Sequence, residues 1–204
     1  MWKDASMAAA GTKDAYHHGD LRRAALDSAQ ERIDAGGAGS VTIRGIAAEL
    51  GVTHTAIGHV FGSRNGLLTA LAIEGYIELA DRLSAAQTEG LLQVGLAYVR
   101  FGVERPAHFV VMFDTDLIEQ TEEFQEASGR TWAILQAGVR GLESPEAMRA
   151  ASSATVAAWS LMHGIVTLHN SGALSRAGVT DHADHENILA IAEQAEAMLF
   201  GSKS

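Results

Sequence analysis

The sequence predicts an all-α protein, in which an N-terminal three-helix head with a helix-turn-helix is joined by a connecting helix to a larger C-terminal helical body. Apolar residues recur at intervals of three and four positions through most of the 204-residue chain, which is typical of helices with one buried face. No stretch shows the strict alternation of apolar and polar residues that is typical of a strand. Glycine or proline interrupts the helical pattern where the helices are expected to end.

The charge of the chain is unevenly divided between head and body. Residues 1–70 contain seven Lys or Arg and seven Asp or Glu, whereas residues 71–204 contain eight and eighteen, so the net charge of −10 lies in the second part. This acidic body argues against nucleic acid wrapping the whole surface. The neutral head, which carries four histidines, can still approach phosphates locally.

The sequence also leads us to expect a cytoplasmic protein. No apolar run approaches the ~20 residues that a membrane helix needs, and residues 1–15 lack the parts of an export signal. The chain has no cysteine, which excludes disulfides, thiolate catalysis and thiolate zinc sites. Residues 1–15 are small, polar and aperiodic, so we expect them to form a disordered arm.

The first helix is expected to start at Asp20, whose side chain can cap it, and to end at Gly36-Gly37. It would be the support helix of the head. Arg22 and Arg23 lie near its start, where cations oppose the helix dipole. They are either solvated surface residues or phosphate contacts, and the sequence leaves both readings open.

The next two short helices form the predicted helix-turn-helix. Thr42 can cap the first of them, and Gly51 can end it with a positive φ. Thr53 can cap the second, with Val52 and Ile57 at the spacing of a hydrophobic staple. Small and polar side chains then point outward from the second helix, which suits the major groove of DNA.

Helical periodicity continues through the body. A helix of about 20 residues begins at Ser63 and connects head to body before Gly90 breaks the pattern. The acid-rich stretch 114–129 is expected to form a solvated turn, so the following helix is predicted to begin near Trp132. The other predicted helices cover residues 91–103, 106–113, 145–170 and 185–200.

Motifs in the head and in the body carry a resemblance to a known family. Tyr16-His17-His18-Gly19-Asp20-Leu21-Arg22 is followed by Ile46-Ala47-x-x-Leu50-Gly51-Val52 and by Phe61-x-Ser63-Arg64-x-x-Leu67-Leu68. Over about 50 residues this pattern resembles the DNA-binding signature of the TetR family of bacterial one-component repressors. The body is similar, through Arg105-Pro106-Ala107-His108-Phe109 and Trp159-x-x-x-His163-Gly164, to a C-terminal domain found in one branch of that family. The resemblance implies a DNA-binding domain over residues 16–63 and a ligand-binding and dimerisation domain over residues 64–204.

Polar side chains of the head are candidate DNA contacts, and the alternative is that they are merely exposed polar residues. The candidates for contact with base edges are Thr53, His54, Thr55 and His59. The candidates for contact with phosphates, which would set the register on the duplex, are Thr42, Arg44 and Arg64.

The second helix of the motif departs from the pattern that the resemblance implies. Family members commonly have a tyrosine and, two residues later, a histidine before the phenylalanine, whereas this chain has Gly58 and Val60. A tyrosine there would hydrogen-bond a phosphate, and glycine loosens a short helix. We therefore expect a weak or ligand-tuned grip on DNA, with His59 covering part of the missing contact.

A set of aromatic, methionine and histidine residues in the body could line a ligand cavity, although such stripes are also typical of plain core. Its members are Phe109, Met112, Phe113, Trp132, Trp159 and His163. The resemblance favours the cavity, because family members commonly have one there. A second cluster, Asp181-His182-x-Asp184-His185, could bind a metal, but we expect a solvated helix cap instead. No cofactor or metal is predicted.

The two long predicted helices near the C-terminus, 145–170 and 185–200, are apolar on more than one face. Small residues such as Ala154 and Ala157 permit close helix approach, so we expect a homodimer built as a four-helix bundle. The resemblance implies the same dimer.

The predicted function is that of a ligand-responsive transcriptional regulator. Following the resemblance, we expect a repressor that a small apolar or amphipathic molecule releases from a palindromic operator in double-stranded DNA. One alternative is a small-molecule binding protein of the same fold whose DNA affinity has decayed. The other is an all-α enzyme, which no nucleophile, metal or cofactor motif supports.

Overall fold

The structure, a computed structural model, describes residues 18–137, 145–181 and 183–200. Every regular element in these residues is helical, which confirms the predicted all-α class. The predicted arm over residues 1–15 lies outside the described residues. The helices are α1 (His18–Gly36), α2 (Ile43–Glu49), α3 (His54–Phe61), α4 (Arg64–Ala86), α5 (Leu91–Glu104), α6 (Pro106–Met112), α7 (Glu122–Ala137), α8 (Pro145–Asn170), α9 (Ala173–Arg176) and α10 (His185–Phe200).

The head packs α1, α2, α3 and the start of α4 around one small core. Leu26 of α1, Ile46 of α2, Ile57 of α3 and Leu67 of α4 are fully buried. Burying each of these branched side chains contributes about 1.5–3 kcal/mol relative to leaving it exposed. Because Ile57 is the buried residue of α3, this core holds the helix down by one face and leaves the opposite face at the surface.

Short-range hydrogen bonds define the helix-turn-helix. The Oγ1 of Thr42 accepts the N–H of Gly45 at 3.0 Å, and the Oγ1 of Thr53 accepts the N–H of Ala56 at 3.2 Å. Each threonine therefore satisfies one of the free N–H groups at the start of its helix. Gly51, between the helices, has a φ of 66°, a left-handed value that costs glycine little. The predicted caps Thr42 and Thr53 and the predicted turn are confirmed, whereas the predicted cap at Asp20 is wrong, because α1 begins at His18.

Helix α4 is shared by head and body. Its N-cap is Ser63, whose Oγ accepts the N–H of Gly66 at 2.8 Å. The first turns of α4 complete the core of the head, and its later turns pack against α5, α6 and α7, where Leu79 is fully buried. The helix ends at Ala86, and Gly90, with a φ of 102°, turns the chain into α5. The predicted connecting helix is confirmed.

The predicted start of the helix at Trp132 is wrong, because α7 begins ten residues earlier, at Glu122. The Oγ1 of Thr121 accepts the N–H of Phe124 at 3.2 Å and caps the helix. Phe124, Ala127 and Thr131 are buried along one stripe, while Glu122, Glu123 and Glu126 of the same helix are exposed. Acidic side chains in the first turn also stabilise a helix, because they lie near the positive end of its dipole. The predicted turn is therefore right for residues 114–121, whereas the second half of the acidic run, from Glu122, is the solvated face of a helix.

Of the predicted metal or cap cluster, Asp184 caps a helix and Asp181 accepts a hydrogen bond in the turn before it. The Oδ1 of Asp181 accepts the N–H of Ala183 at 3.1 Å, and the Oδ1 of Asp184 accepts the N–H of Asn187 at 3.0 Å at the start of α10. His182 lies outside the described residues. Within the described ranges, none of the helices combines the length and the hydropathy that crossing a bilayer requires.

Candidate functional site

The outward face of α3 carries the predicted base-contacting residues. Thr53, His54, Thr55 and His59 are all exposed, whereas Ile57 between them is fully buried. Thr55 and His59 are one helical turn apart and therefore share one face. The structure thus brings these four residues together on one exposed helix that the buried Ile57 anchors.

The two arginines predicted to contact phosphates have different surroundings. Arg44 is exposed, and in the described part of the chain it has no hydrogen-bond or ion-pair partner. Arg64 is half-buried, and its Nε and Nη2 donate to the carbonyl oxygens of Val41 and Ala38 at 2.8 Å and 2.6 Å. Arg64 therefore braces the turn that leads into α2, and Arg44 is free to meet an anion. Thr42 is also exposed, although its hydroxyl oxygen already accepts from Gly45.

Arg22 and Arg23 tie α1 to α4. The carboxylate of Glu74 lies 3.4 Å from Nη1 of Arg22 and 3.1 Å from Nη1 of Arg23. Arg23 also pairs with Asp27 one turn along α1. Both arginines are partly exposed, but their charge is directed to carboxylates, so the structure gives them a role that neither sequence interpretation included.

Glu78 joins α4 to the start of α6. Its carboxylate lies 2.9 Å from Nη2 of Arg105 and 2.6 Å from Nη2 of Arg82. Burial acts to raise the pKa of Glu78, but the hydrogen bonds and charges of Arg105 and Arg82 outweigh burial and hold that pKa below its ordinary value. Glu78 is therefore ionised at neutral pH and links the two elements electrostatically.

Residues 113–121, which we call the strap, lead from α6 to α7 and contact the start of α4. The Oγ of Ser63 donates to Oε1 of Glu119 at 2.5 Å, and the backbone N–H of Glu119 donates to Oγ1 of Thr69 at 2.8 Å. The Nδ2 of Asn65 donates to the carbonyl oxygen of Asp116 at 3.4 Å. The strap therefore joins the body to the end of α4 that is also part of the head.

Two cavities of the body contain most of the predicted ligand-contacting residues. The inner cavity, of about 140 Å³, lies among α4, α5, α7 and α8, and the outer groove, of about 500 Å³, lies between α6, the strap and the end of α8. The inner cavity is lined by Tyr76, Leu79, Tyr98, Phe113, Ser128, Thr131, Trp132, Leu135 and Trp159. The outer groove is lined by Phe109, Val110, Phe113, Asp114, Thr115, His163, Thr167, Asn170 and Ser171.

A hydrogen-bonded chain of three side chains links the two cavities. The indole N–H of Trp159 donates to the hydroxyl oxygen of Tyr98 at 3.0 Å, and that oxygen lies 2.9 Å from Nδ1 of His163. Burial raises the pKa of Tyr98 and lowers that of His163 from their ordinary values. Because the tryptophan can only donate, the order that satisfies all three groups runs from Trp159 through Tyr98 to a neutral His163.

The predicted ligand-contacting residues divide among three places. Phe113, Trp132 and Trp159 line the inner cavity, whereas Phe109 and His163 line the outer groove. The structure does not bring Met112 to either cavity, since it is almost fully buried and a Cβ built on Gly75 would lie 2.5 Å from its Sδ.

Sequence reasoning missed Tyr98, which contacts both Trp159 and His163. Among the apolar residues of α5 it looks like an ordinary core residue. The signal that could have found it is its phenol hydroxyl, because a buried hydroxyl needs a hydrogen-bond partner from another element.

Two family models match the sequence. Residues 25–71, which span α2, α3 and most of α1, match the model for bacterial regulatory proteins of the tetR family. Residues 91–193, about half of the chain, match the model for the tetracyclin repressor-like C-terminal domain. No curated protein matches the sequence.

Solved structures with similar folds extend this similarity over most of the chain. A protein of unknown function from Rhodococcus sp. RHA1 is 25% identical with a TM-score of 0.66, over 90% of this chain and 96% of that one. The candidate regulatory protein SCO4313 is 22% identical with a TM-score of 0.69, over 86% and 96%. A possible TetR family transcriptional regulator from Streptomyces coelicolor A3(2) is 16% identical with a TM-score of 0.52, over 87% and 99%. At these identities the last two similarities concern the fold alone.

Proposed function

This chain belongs to the TetR family of DNA-binding transcriptional regulators, which are not enzymes, and we propose that it is a repressor which a small molecule releases from a palindromic operator. The observation that carries the proposal is the surface of α3. Four exposed polar side chains lie over the buried Ile57 on a helix capped by Thr53. A short helix held in this way can enter the major groove without uncovering the core.

The contacts divide into base readout and phosphate positioning. His54, Thr55 and His59, with Thr53 at the helix start, meet base edges in this proposal. Arg44 is the principal phosphate contact, supported by its lack of any partner in the described residues, and Thr42 lies beside it. Three N–H groups of Arg64 already donate, two to carbonyl oxygens and one to Oδ1 of Asn65. Since a guanidinium has five N–H groups, Arg64 reaches phosphate only through the other two.

The effector site is the inner cavity, supported by its position against α4. Tyr76 and Leu79 of α4 line it, and so does Phe113, the first residue of the strap. The same strap contacts Ser63 and Thr69 at the start of α4. A ligand that prefers one arrangement of these elements shifts the population of head positions by its difference in affinity for the two states.

The dimer forms through α8 and α10. Large apolar side chains are exposed on both helices, with exposed fractions of 46% for Val156, 48% for Leu168 and 86% for Met198. A monomer would leave these side chains in water, whereas an isologous pairing of the two helices with a second copy would cover them.

Replacing Val156 and Leu168 together by Glu tests the dimer. We expect the double variant to sediment as a monomer at micromolar concentration, because pairing would bury four carboxylates. Replacing Ile77 by Glu is the matched control, since this residue is equally exposed, at 46%, but lies on α4. A wild-type protein that is already monomeric would refute the proposed pairing.

Selection of bound sequences from a random double-stranded DNA pool, followed by gel-shift titration, tests the regulatory function. We expect a palindromic site whose half-sites are about 34–36 Å apart or a multiple of that spacing. Failure to select any sequence above background would instead support the alternative of a small-molecule binding protein with decayed DNA affinity, which Gly58 on α3 favours.

A further inference from the structure

We propose that the inner cavity binds an uncharged molecule with a single aromatic ring. If this molecule carries a hydrogen-bond acceptor, the acceptor bonds to the indole N–H of Trp132. This inference rests on the proposed function for its regulatory role, but the binding itself can be measured without DNA.

The size of the inner cavity limits the ligand to about one ring. Its volume is about 140 Å³, and an engineered apolar protein cavity of about 150 Å³ takes up benzene. A six-membered ring with one small substituent therefore fits, whereas a fused polycyclic compound requires the walls to move.

The walls favour a flat aromatic guest. Tyr76, Tyr98, Phe113, Trp132 and Trp159 contribute five aromatic side chains. Trp132 and Trp159 meet edge to face, with centroids 5.9 Å apart and planes at 63°, and Tyr76 and Phe113 do so at 6.0 Å and 72°. Aromatic rings gain from such edge-to-face contacts beyond their buried area, so a guest ring would extend an arrangement that the protein already has.

The polar atoms of the walls are nearly all occupied. No lining residue of the inner cavity carries a charge. The hydroxyl of Tyr76 donates to the carbonyl oxygen of Met112 at 3.0 Å, and that of Thr131 donates to the carbonyl oxygen of Tyr76 at 3.2 Å. Ser128 donates to a backbone carbonyl as well, at 3.3 Å, and the hydroxyl of Tyr98 belongs to the chain between Trp159 and His163.

Among the side chains that line the inner cavity, one hydrogen-bond donor has no partner in the described residues. The indole N–H of Trp132 has no acceptor among the described residues. A neutral carbonyl or ether oxygen can accept this single N–H. A carboxylate would lose part of its hydration shell and recover only one hydrogen bond, and burial of an unpaired ion is far more costly than burial of a neutral group. The cavity therefore selects against anions and cations of the same shape.

Toluene, acetophenone and benzoate test this selectivity on the full-length protein. The last two have nearly the same shape and differ mainly in charge at neutral pH. We expect toluene and acetophenone to give saturable tryptophan quenching and calorimetric binding, and benzoate to bind at least 100-fold more weakly than acetophenone. Benzoate binding as tight as that of acetophenone would overturn the proposal.

Two variants locate the binding. Ser128→Leu fills the inner cavity and should abolish binding of both neutral compounds, whereas Ala133→Leu, which adds the same bulk to the exposed face of α7, should leave it unchanged. Trp132→Phe removes the same wall area for both compounds and should weaken acetophenone about fivefold more than toluene, the effect of one neutral hydrogen bond. Toluene binding that survives Ser128→Leu would place the ligand elsewhere and refute the assignment.

Operator binding separates this inference from the proposed function. A protein that shifts its selected operator but binds neither neutral compound disproves only the ligand assignment. A protein that binds both compounds but selects no DNA retains the ligand assignment and loses the regulatory role.

Discussion

Arg44 and Arg64 carry the same charge near α3 but differ in how free their guanidinium groups are to contact a phosphate. Arg64 spends two of its donor groups on the carbonyls of Val41 and Ala38, whereas Arg44 has no partner in the described chain. Of the other arginines in the described head, Arg22, Arg23 and Arg32 pair with carboxylates. The head therefore presents less free positive charge than its sequence suggests.

Arg44→Ala should reduce the salt dependence of operator binding. Loss of one phosphate contact flattens the slope of log affinity against log salt by about 0.9 per bound protomer, because fewer counterions are released. Titrations at several salt concentrations measure this slope. Arg100→Ala is the control, since Arg100 is exposed and equally unpartnered but lies on α5 in the body. An unchanged slope in Arg44→Ala would remove this residue from the interface.

Gly58 is a position where we expect a substitution to raise DNA affinity. It lies in α3 without a positive φ, and a Cβ built there meets no atom within 4 Å. Gly58→Tyr should therefore fit and tighten operator binding through a hydroxyl on a phosphate, with little change in the salt slope, because tyrosine is neutral.

Gly58→Ala is the matched control, because it adds about 0.5–1 kcal/mol of helix stability without a hydroxyl. Gel-shift titrations of both variants at several salt concentrations separate the two effects. If Gly58→Tyr instead weakens binding, the glycine allows α3 to approach DNA closely, and the interpretation of this departure from the family as a loss is wrong.

A hydrogen bond could be predicted from the sequence only when its two residues lie close together along the chain. The caps at Thr42 and Thr53 could be predicted because each accepts an N–H three residues ahead. The bonds from Tyr98 to His163 and from Ser63 to Glu119 join residues 65 and 56 positions apart, and no local pattern encodes such pairs. The DNA-facing candidates could therefore be proposed from the sequence, and the connections within the body could not.

Among the elements, α5 and α8 cross unusually closely at Gly102. A Cβ built on Gly102 would lie 2.4 Å from Cγ1 of Val166, a fully buried and stiff side chain. The Nδ2 of Asn170 on α8 also donates to the carbonyl oxygen of Gly102 at 3.0 Å. The sequence shows only a glycine inside a helix, so this crossing became visible only in three dimensions, as did the start of α7.

Gly102→Ala should destabilise the body. Overpacking a tight core contact costs about 1–3 kcal/mol, partly offset by the better helix propensity of alanine, so we expect the free energy of unfolding in urea to fall by about 1–2 kcal/mol. Gly129→Ala is the control, because a Cβ on this α7 glycine meets nothing within 4 Å and should stabilise slightly. When Val166→Ala is introduced into the Gly102→Ala variant, it should lower the free energy of unfolding by less than it does in the wild type, because the clash is relieved. If the effects of the two substitutions simply add, the clash is not present.

For the whole molecule, α4 is the element through which the body can reach the head. Glu74 of α4 pairs with Arg22 and Arg23 of α1, and Glu78 pairs with Arg105 at the start of α6. The strap adds a third connection at Ser63, the cap of α4. A change in the inner cavity, which both α4 and the strap line, therefore has more than one route to the position of α3.

The carboxylate of Glu119 lies where α4 would approach the phosphates that Arg64 is proposed to contact, since its Oε1 is 2.5 Å from the Oγ of Ser63. We expect Glu119→Gln to tighten operator binding, because it removes a negative charge near the phosphates while its amide oxygen can still accept from Ser63. A unit charge 4 Å away in water contributes about 1 kcal/mol, a factor of about five in affinity, and this gain should shrink as added salt screens the charge.

Gel-shift titrations at low and high salt measure this gain, with Glu122→Gln as the control, since Glu122 has the same charge and is exposed in the first turn of α7. Equal gains from both variants would mean that only the net charge of the body matters, and a loss of binding in Glu119→Gln would mean that the strap must hold α4 in place for DNA to bind.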